Sequence, residues 1–127
     1  MVNKESIFES AKTLSKHPIE VPEWGGTVYI RELSGWERDC FDEAWFKYKV
    51  QQNGSGECGV NFYSFLIAWL VVDESGKRFV SDSEIMQLAQ VPAKIILRVA
   101  EQCMKINGMG RWADVELPKS LEQDPNA

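Results

Sequence analysis

With 127 residues, 44% hydrophobic and 26% charged, the chain has the size and composition of one soluble globular domain, with five tryptophans to anchor a core. Its formal charge of −5, with acids and bases interspersed and no basic block, argues against a nucleic-acid binder. Three cysteines (Cys40, Cys58 and Cys103) without a CxxC, beside a single histidine, His17, exclude a zinc-ligand spacing and suggest a reducing cytoplasm.

Met1 to Lys16 lacks the apolar stretch and small-residue cleavage site of a secretory signal. It predicts a short, weakly capped, fraying helix with Ile7, Phe8, Ala11 and Leu14 near one face. The run "HPIEVPEWGGTVYIREL" then changes period. Ile19 and Val21 alternate, Pro22 limits the first strand, Gly25-Gly26 supplies a turn, and Val28 and Ile30 alternate again. That pattern predicts a β-hairpin whose first strand lies at a sheet edge or end.

"SGWERDCFDEAWFKYKV" opens with Ser34 and Glu37 in capping-box spacing, which satisfies unpaired N–H groups at a helix start. Trp36, Cys40, Phe41, Ala44, Trp45 and Tyr48 follow at helical spacing and predict one wide apolar stripe. Glu37, Asp39, Asp42 and Glu43 come early and Lys47 and Lys49 late, as the helix dipole favours, and Glu43 with Lys47 forms an i,i+4 pair. These carboxylates read as helix electrostatics, because no neighbour separates their pKa values into an acid and a base. "QQNGSGECG" is a loop without the GK[ST] of a phosphate-binding turn, and Cys58 within it has no His or Lys beside it to activate the thiol.

From Asn61, "FYSFLIAWLVV" is apolar nearly all round and too short to span a membrane. Its length suits a buried strand or a buried helix; we read a helix with Phe62, Phe65, Leu66, Trp69 and Val72 on its most buried face. In "VVDESGKRFVSDSEI" a calcium loop fails on geometry, since the sixth residue from Asp73 is Arg78 where glycine is required. The stretch instead predicts a turn, a short extended piece and a second capping box, Ser81 with Glu84, opening a helix through Ile85, Met86, Leu88 and Ala89. Pro92 starts the final helix, whose stripe is Ile95, Ile96, Val99, Ala100, Cys103 and Met104, and Asn107-Gly108 ends it with a left-handed cap.

The expected architecture is α+β: a small antiparallel β-hairpin packed on a mostly helical domain of about four helices. The domain covers residues 1–110, and residues 111–127 read as a flexible C-terminal segment. Trp112, Val115 and Leu117 are apolar groups in that segment with no local partner. No catalytic constellation forms around the lone His17, so the chain is expected to be a binding protein rather than an enzyme, with no metal and no cofactor.

The order of these features resembles the tail assembly chaperones of long-tailed phages and prophages. The stretches "IEVPEWGGTVYIRELSGWERDCFDEA" and "LVVDESGKRFVSDSEIMQLAQVPAKIILRVAEQCMKING" carry the likeness, over Ile19 to Gly108. The resemblance implies a non-enzymatic assembly factor, active in the host cytoplasm and absent from the mature virion. It implies that the factor coats the tape measure protein and keeps it soluble while the tail tube is built. A longer frameshifted form would recruit the major tail tube protein, and the factor would form a homo-oligomer along its target. The candidate partner contacts are Trp24 and Tyr29 on the hairpin and Trp112, Val115 and Leu117 beyond the domain; the alternative is that Trp24 packs on the core and the C-terminal segment is inert. The competing reading is a prophage-encoded adaptor or regulatory domain that binds another helical protein.

Overall fold

The computed structural model describes residues 1–53 and 61–110, with the backbone alone at residue 53. The chain runs α1 (Lys4–Glu9), β1 (Lys16–Val21), β2 (Gly26–Arg31), α2 (Gly35–Asn53), α3 (Phe62–Leu70), β3 (Val71–Val72), α4 (Ile85–Leu88) and α5 (Ala93–Ile106). This is the expected α+β fold, with the hairpin enlarged to an antiparallel sheet of order β1-β2-β3.

The hairpin forms where the alternation placed it. Pro22 ends β1 and starts a single 3-10 turn through Trp24, and Gly25 reverses the chain at φ +90°. His17 pairs with Ile30, Ile19 with Val28 and Val21 with Gly26, so these residues share the core face. The opposite face carries Lys16, Pro18, Glu20, Thr27, Tyr29 and Arg31. β3 was not foreseen as a strand: α3 stops at Leu70, and Val71 and Val72 pair with Ile30 and Tyr29. Both valines are buried, β-branched and directly opposite strand residues, so sheet pairing overrides continuation of the helix.

α3 is the hub of the core. Ser64 to Ala68 and Leu70 are buried, and the helix packs on α5 through Ile95, Ile96, Val99, Ala100 and Cys103. The buried set is broader than the predicted face: Phe62 and Trp69 are only partly buried, and Ile67 is fully inside. α2 contributes an aromatic seam in which Phe41 lies 5.3 Å from Phe65 and 5.9 Å from Trp69, and Trp45 lies 5.0 Å from Phe62. Ser34 and Glu37 make the predicted capping box at 2.9 and 3.2 Å, and Lys47 reaches Glu43 at 3.1 Å.

Trp36 departs from its expected place in that seam. It is 76% exposed, because at the first turn of α2 it points away from the side that carries Phe41, Ala44 and Tyr48. α1 also differs: Asn3 caps it by accepting from the Ser6 N–H at 2.8 Å, yet none of its residues is buried. Its Ile7 and Phe8 are exposed to solvent.

Two arginines close the C-terminus of α3. Arg31 Nε donates to the Trp69 carbonyl at 2.9 Å, and Arg78 Nε donates to the Ala68 carbonyl at 2.7 Å while its guanidinium lies 5.2 Å from the Trp69 ring centroid. Helix-end carbonyls carry partial negative charge and lack intrahelical donors, so cations here satisfy both needs. Burial pushes the Arg31 pKa down, the Glu37 carboxylate pulls it up, and the Arg78 charge adds to the lowering.

Asn107 ties the other side of the sheet. Its Oδ1 accepts from the Leu33 N–H at 2.8 Å, and its Nδ2 donates to the Arg31 carbonyl at 3.1 Å and to the Cys103 carbonyl at 3.1 Å. The carboxamide thus stands in for a strand peptide where β2 runs past the end of β3. Gly108, at φ +60°, supplies the left-handed turn that ends α5. Cys103 is fully buried, and burial pushes its thiol pKa up to about 12, which makes it an inert core group.

Candidate partner-binding surface

The two hairpin candidates do not share a face. Tyr29 lies on the outer side of the sheet, opposite Pro18 and Val72, with Lys16 Nζ 5.9 Å from its ring centroid. Trp24 packs partly against the core from its 3-10 turn and forms one wall of an open apolar groove. Trp112, Val115, Leu117 and Cys58 lie outside the described residues.

The groove has a volume of about 510 Å³. Its walls are the hairpin turn, with Trp24 and Val28, and the segment leading to α4, with Phe79; its floor is Ile67 and Val71, and Val91 closes one end. Each wall follows from local structure. Gly25 in the left-handed region turns the chain sharply enough to bring Trp24 over Val28. On the far side, Asp73 organises the turn: its Oδ1 accepts from the Ser75 and Lys77 N–H groups at 2.8 and 2.9 Å, and Gly76 takes φ +94°. Hydrogen bonds from the Ser75 hydroxyl and the Lys77 N–H hold the Asp73 carboxyl below its ordinary pKa. Arg78 then anchors to α3, and Phe79, next in sequence, remains 56% exposed at the groove's lip. At the other rim, Arg98 takes both oxygens of Glu23, at 2.5 and 3.1 Å, and holds that carboxyl below its usual range.

Phe79 and Val91 were not foreseen as surface candidates. The available signal was one aromatic beside Val80 in the mostly polar stretch "DESGKRFVSDS", where no helical or strand period gave it a core partner.

The open edge of the sheet is unsuited to strand addition. The Glu32 N–H donates to the Ser15 carbonyl at 3.1 Å, so alternation turns the hydrogen-bonding groups of His17, Ile19 and Val21 towards β2. Lys16, Pro18 and Glu20 then face outwards, and Pro18 has no N–H to offer an incoming strand.

His17 sits near Ser15 and Glu32, the residue types of a hydrolytic triad, but in a different arrangement. Ser15 Oγ and Glu32 Oε1 both lie 3.4 Å from the same ring nitrogen, Nε2, and the hydroxyl is 3.2 Å from the carboxylate. A triad needs the acid on Nδ1 and the nucleophile on Nε2. Here the serine and the acid share one nitrogen, so the histidine cannot pass a proton between them. Burial raises the Glu32 pKa, but hydrogen bonds from the Ser15 N–H, His17 and the Ser15 hydroxyl outweigh it and leave the carboxyl below its ordinary value. Among the described residues, no group of His, Cys, Asp and Glu could hold a metal ion, and no helix is long and apolar enough to cross a membrane.

No curated protein sequence matches the chain. Its fold is similar to that of the bacteriophage HK97 tail assembly chaperone, with a TM-score of 0.51 at 20% identity, covering 82% of this chain and 95% of that one. The family model described as "Phage tail assembly chaperone" matches residues 3–120. With all but a few of its 127 residues inside that match, the chain belongs to the phage tail assembly chaperone family.

Proposed function

We propose that this chain binds the tape measure protein of a long-tailed phage or prophage and keeps it soluble in the host cytoplasm until the tail tube forms around it. The role is non-enzymatic, and the chain is not retained in the virion. The observation that carries the reading is the open groove between Trp24 and Phe79, whose walls are apolar and whose lip residue is more than half exposed. A long helical target with apolar surface aggregates if left bare, and an amphipathic helix laid into such a groove loses that surface to the chaperone. The proline-blunted edge of β1 favours this mode over strand addition. Many shallow contacts of this kind, repeated by several copies along one target, give avidity while each remains reversible. A longer frameshifted form would add the contact to the major tail tube protein.

Co-expression with the tape measure protein of the same phage tests the reading. Phe79→Glu places a charge at the lip without touching the core, so the chain stays folded. Loss of one buried Phe contact, worth ~1.5–3 kcal/mol, corresponds to roughly a 10- to 100-fold loss of affinity, and the target should move into the insoluble fraction. Undiminished solubilisation by Phe79→Glu would refute the groove as the docking surface. Capture of a different helical protein, with no effect on the tape measure, would support the adaptor reading instead.

A further inference from the structure

We propose that the outer face of α2 is a self-association surface, on which two copies of this chain pair through antiparallel α2 helices related by a two-fold axis. The proposal goes beyond the tape-measure reading. It uses a face that shares no residue with the groove, and it holds whatever the groove binds.

Trp36, Asp39, Glu43, Phe46 and Val50 recur at steps of three and four along α2, and all five are exposed. They run down one side of the helix, away from the side that carries Phe41 and Trp45 into the aromatic seam. Trp36, Phe46 and Val50 are 76%, 60% and 54% exposed. A single exposed apolar residue is ordinary, but three on one stripe of one helix form an uncovered seam. Alternating steps of three and four are also the spacing at which two helices interlock side by side.

The charges on this helix select a second α2 as the occupant. Asp39, Asp42 and Glu43 lie in its first part, and Lys47 and Lys49 follow in its second. Two copies laid in the same direction would set acid against acid and lysine against lysine. Reversed, the acidic half of each lies along the basic half of the other, and the helix dipoles oppose. The face is therefore complementary to itself in the one orientation that a two-fold axis allows. Trp36 and Val50 are about 21 Å apart along the axis. Setting Trp36 opposite Val50 puts Asp39 opposite Lys47 and brings Glu43 to the two-fold axis. There Lys47 of the same copy, 3.1 Å from Glu43, offsets its charge. Exposed ion pairs contribute little, so the apolar side chains set the strength of the pair and the charges set its direction. An isologous contact closes at the dimer, and one of this small extent is weak and reversible. On the tape-measure reading, each pair carries two grooves, and two linked weak sites hold one long target more tightly than either alone.

Sedimentation equilibrium of the free full chain, without any target, tests the pairing. The expected result is monomer at a few micromolar, dimer on the order of 100 µM, and nothing larger. Phe46→Glu puts an acid inside the seam and should raise the dimer dissociation constant roughly tenfold or more. Trp36→Glu should do the same, and it sits in the first helical turn, where an acid suits the dipole. An unchanged urea midpoint in each variant shows that the fold is intact. Orientation is read by placing a benzoylphenylalanine photocrosslinker at residue 36 of an isotope-labelled chain and mixing it with unlabelled chain. Crosslinks should join residue 36 to the unlabelled peptide that contains Val50. A chain that stays monomeric, a dimer that both variants leave unchanged, assembly beyond the dimer, or crosslinks to the unlabelled peptide that contains Trp36 (a parallel pair) would each overturn the proposal. None of these readouts involves the groove, so they stand apart from the outcome of the Phe79→Glu test.

Discussion

Asn107→Ala tests the side chain on which the most long-range geometry converges. The substitution removes three hydrogen bonds, of 2.8, 3.1 and 3.1 Å, and leaves the Leu33 N–H and the Arg31 carbonyl without partners in a half-buried seam between β2 and α5. A net contribution near ~1 kcal/mol per bond gives about 2–3 kcal/mol, with half-burial holding the cost below that of fully buried orphans. In a domain of this size that lowers Tm by roughly 10 °C. Urea denaturation provides the assay, and the midpoint should fall with the slope unchanged. The isosteric Asn107→Asp tests the two donated bonds directly. A carboxylate keeps the acceptor for Leu33 but faces two carbonyls where the amide donated, so Asp should cost at least as much as Ala. Near-wild-type stability of the Asp variant would refute the clamp, because a carboxylate cannot donate to the Arg31 and Cys103 carbonyls.

Two further outcomes follow from the same frame. Gly25→Ala meets no atom within 4 Å, so its cost is purely that of φ +90°, about 1–2 kcal/mol; Gly26→Ala, in ordinary strand geometry with equally open space, should change stability by less than ~0.5 kcal/mol, and thermal unfolding of the pair distinguishes them. Acid should destabilise the fold with a definite sign. Glu23, Glu32, Asp73 and Glu84 all have folded-state pKa values below their ordinary 4.5 or 3.8, so their contribution is full above those values. It is lost as the pH falls from them towards the depressed ones, and stability measured by urea midpoint should be flat from pH 7 to 5 and then decline.

The elements legible in the sequence were those whose cause is local. Capping at Ser34, the break at Pro22, the amphipathic stripe of α5 and the turn at Gly25-Gly26 each follow from residues within a few positions, and the structure has them where the pattern put them. The misplacements arose where long-range pairing or rotation decides. Val71 and Val72 left the helix because β2 was available to pair with them, and Trp36 fell outside the seam because helical spacing alone does not fix which flank meets the core. The lining of the groove was half legible. Trp24 was flagged for its chemistry and does line the groove, whereas Phe79 owes its position to an arginine anchored on a helix distant in the chain.

That anchoring gives the family-like motifs a physical meaning. "VYIREL" and "VVDESGKR" look like separate turn signatures, yet they deliver Arg31 and Arg78 to consecutive carbonyls of α3, on the side of the sheet away from the groove. Two guanidiniums that close would repel each other. Glu37, 3.5 Å from Arg31, and Asp82, 2.8 Å from Arg78, join the negative end of the helix in balancing them. The cluster is therefore saturated and has no charge left to recruit an anion. Its consequence lies on the opposite side: with α3 capped and Val72 bridged to Arg78, the spacing between the Trp24 wall and the Phe79 lip is set by the frame and not by whatever fills the groove. A groove held that way keeps its shape without an occupant, which would lower the ordering cost of each contact in the weak, repeated binding proposed above.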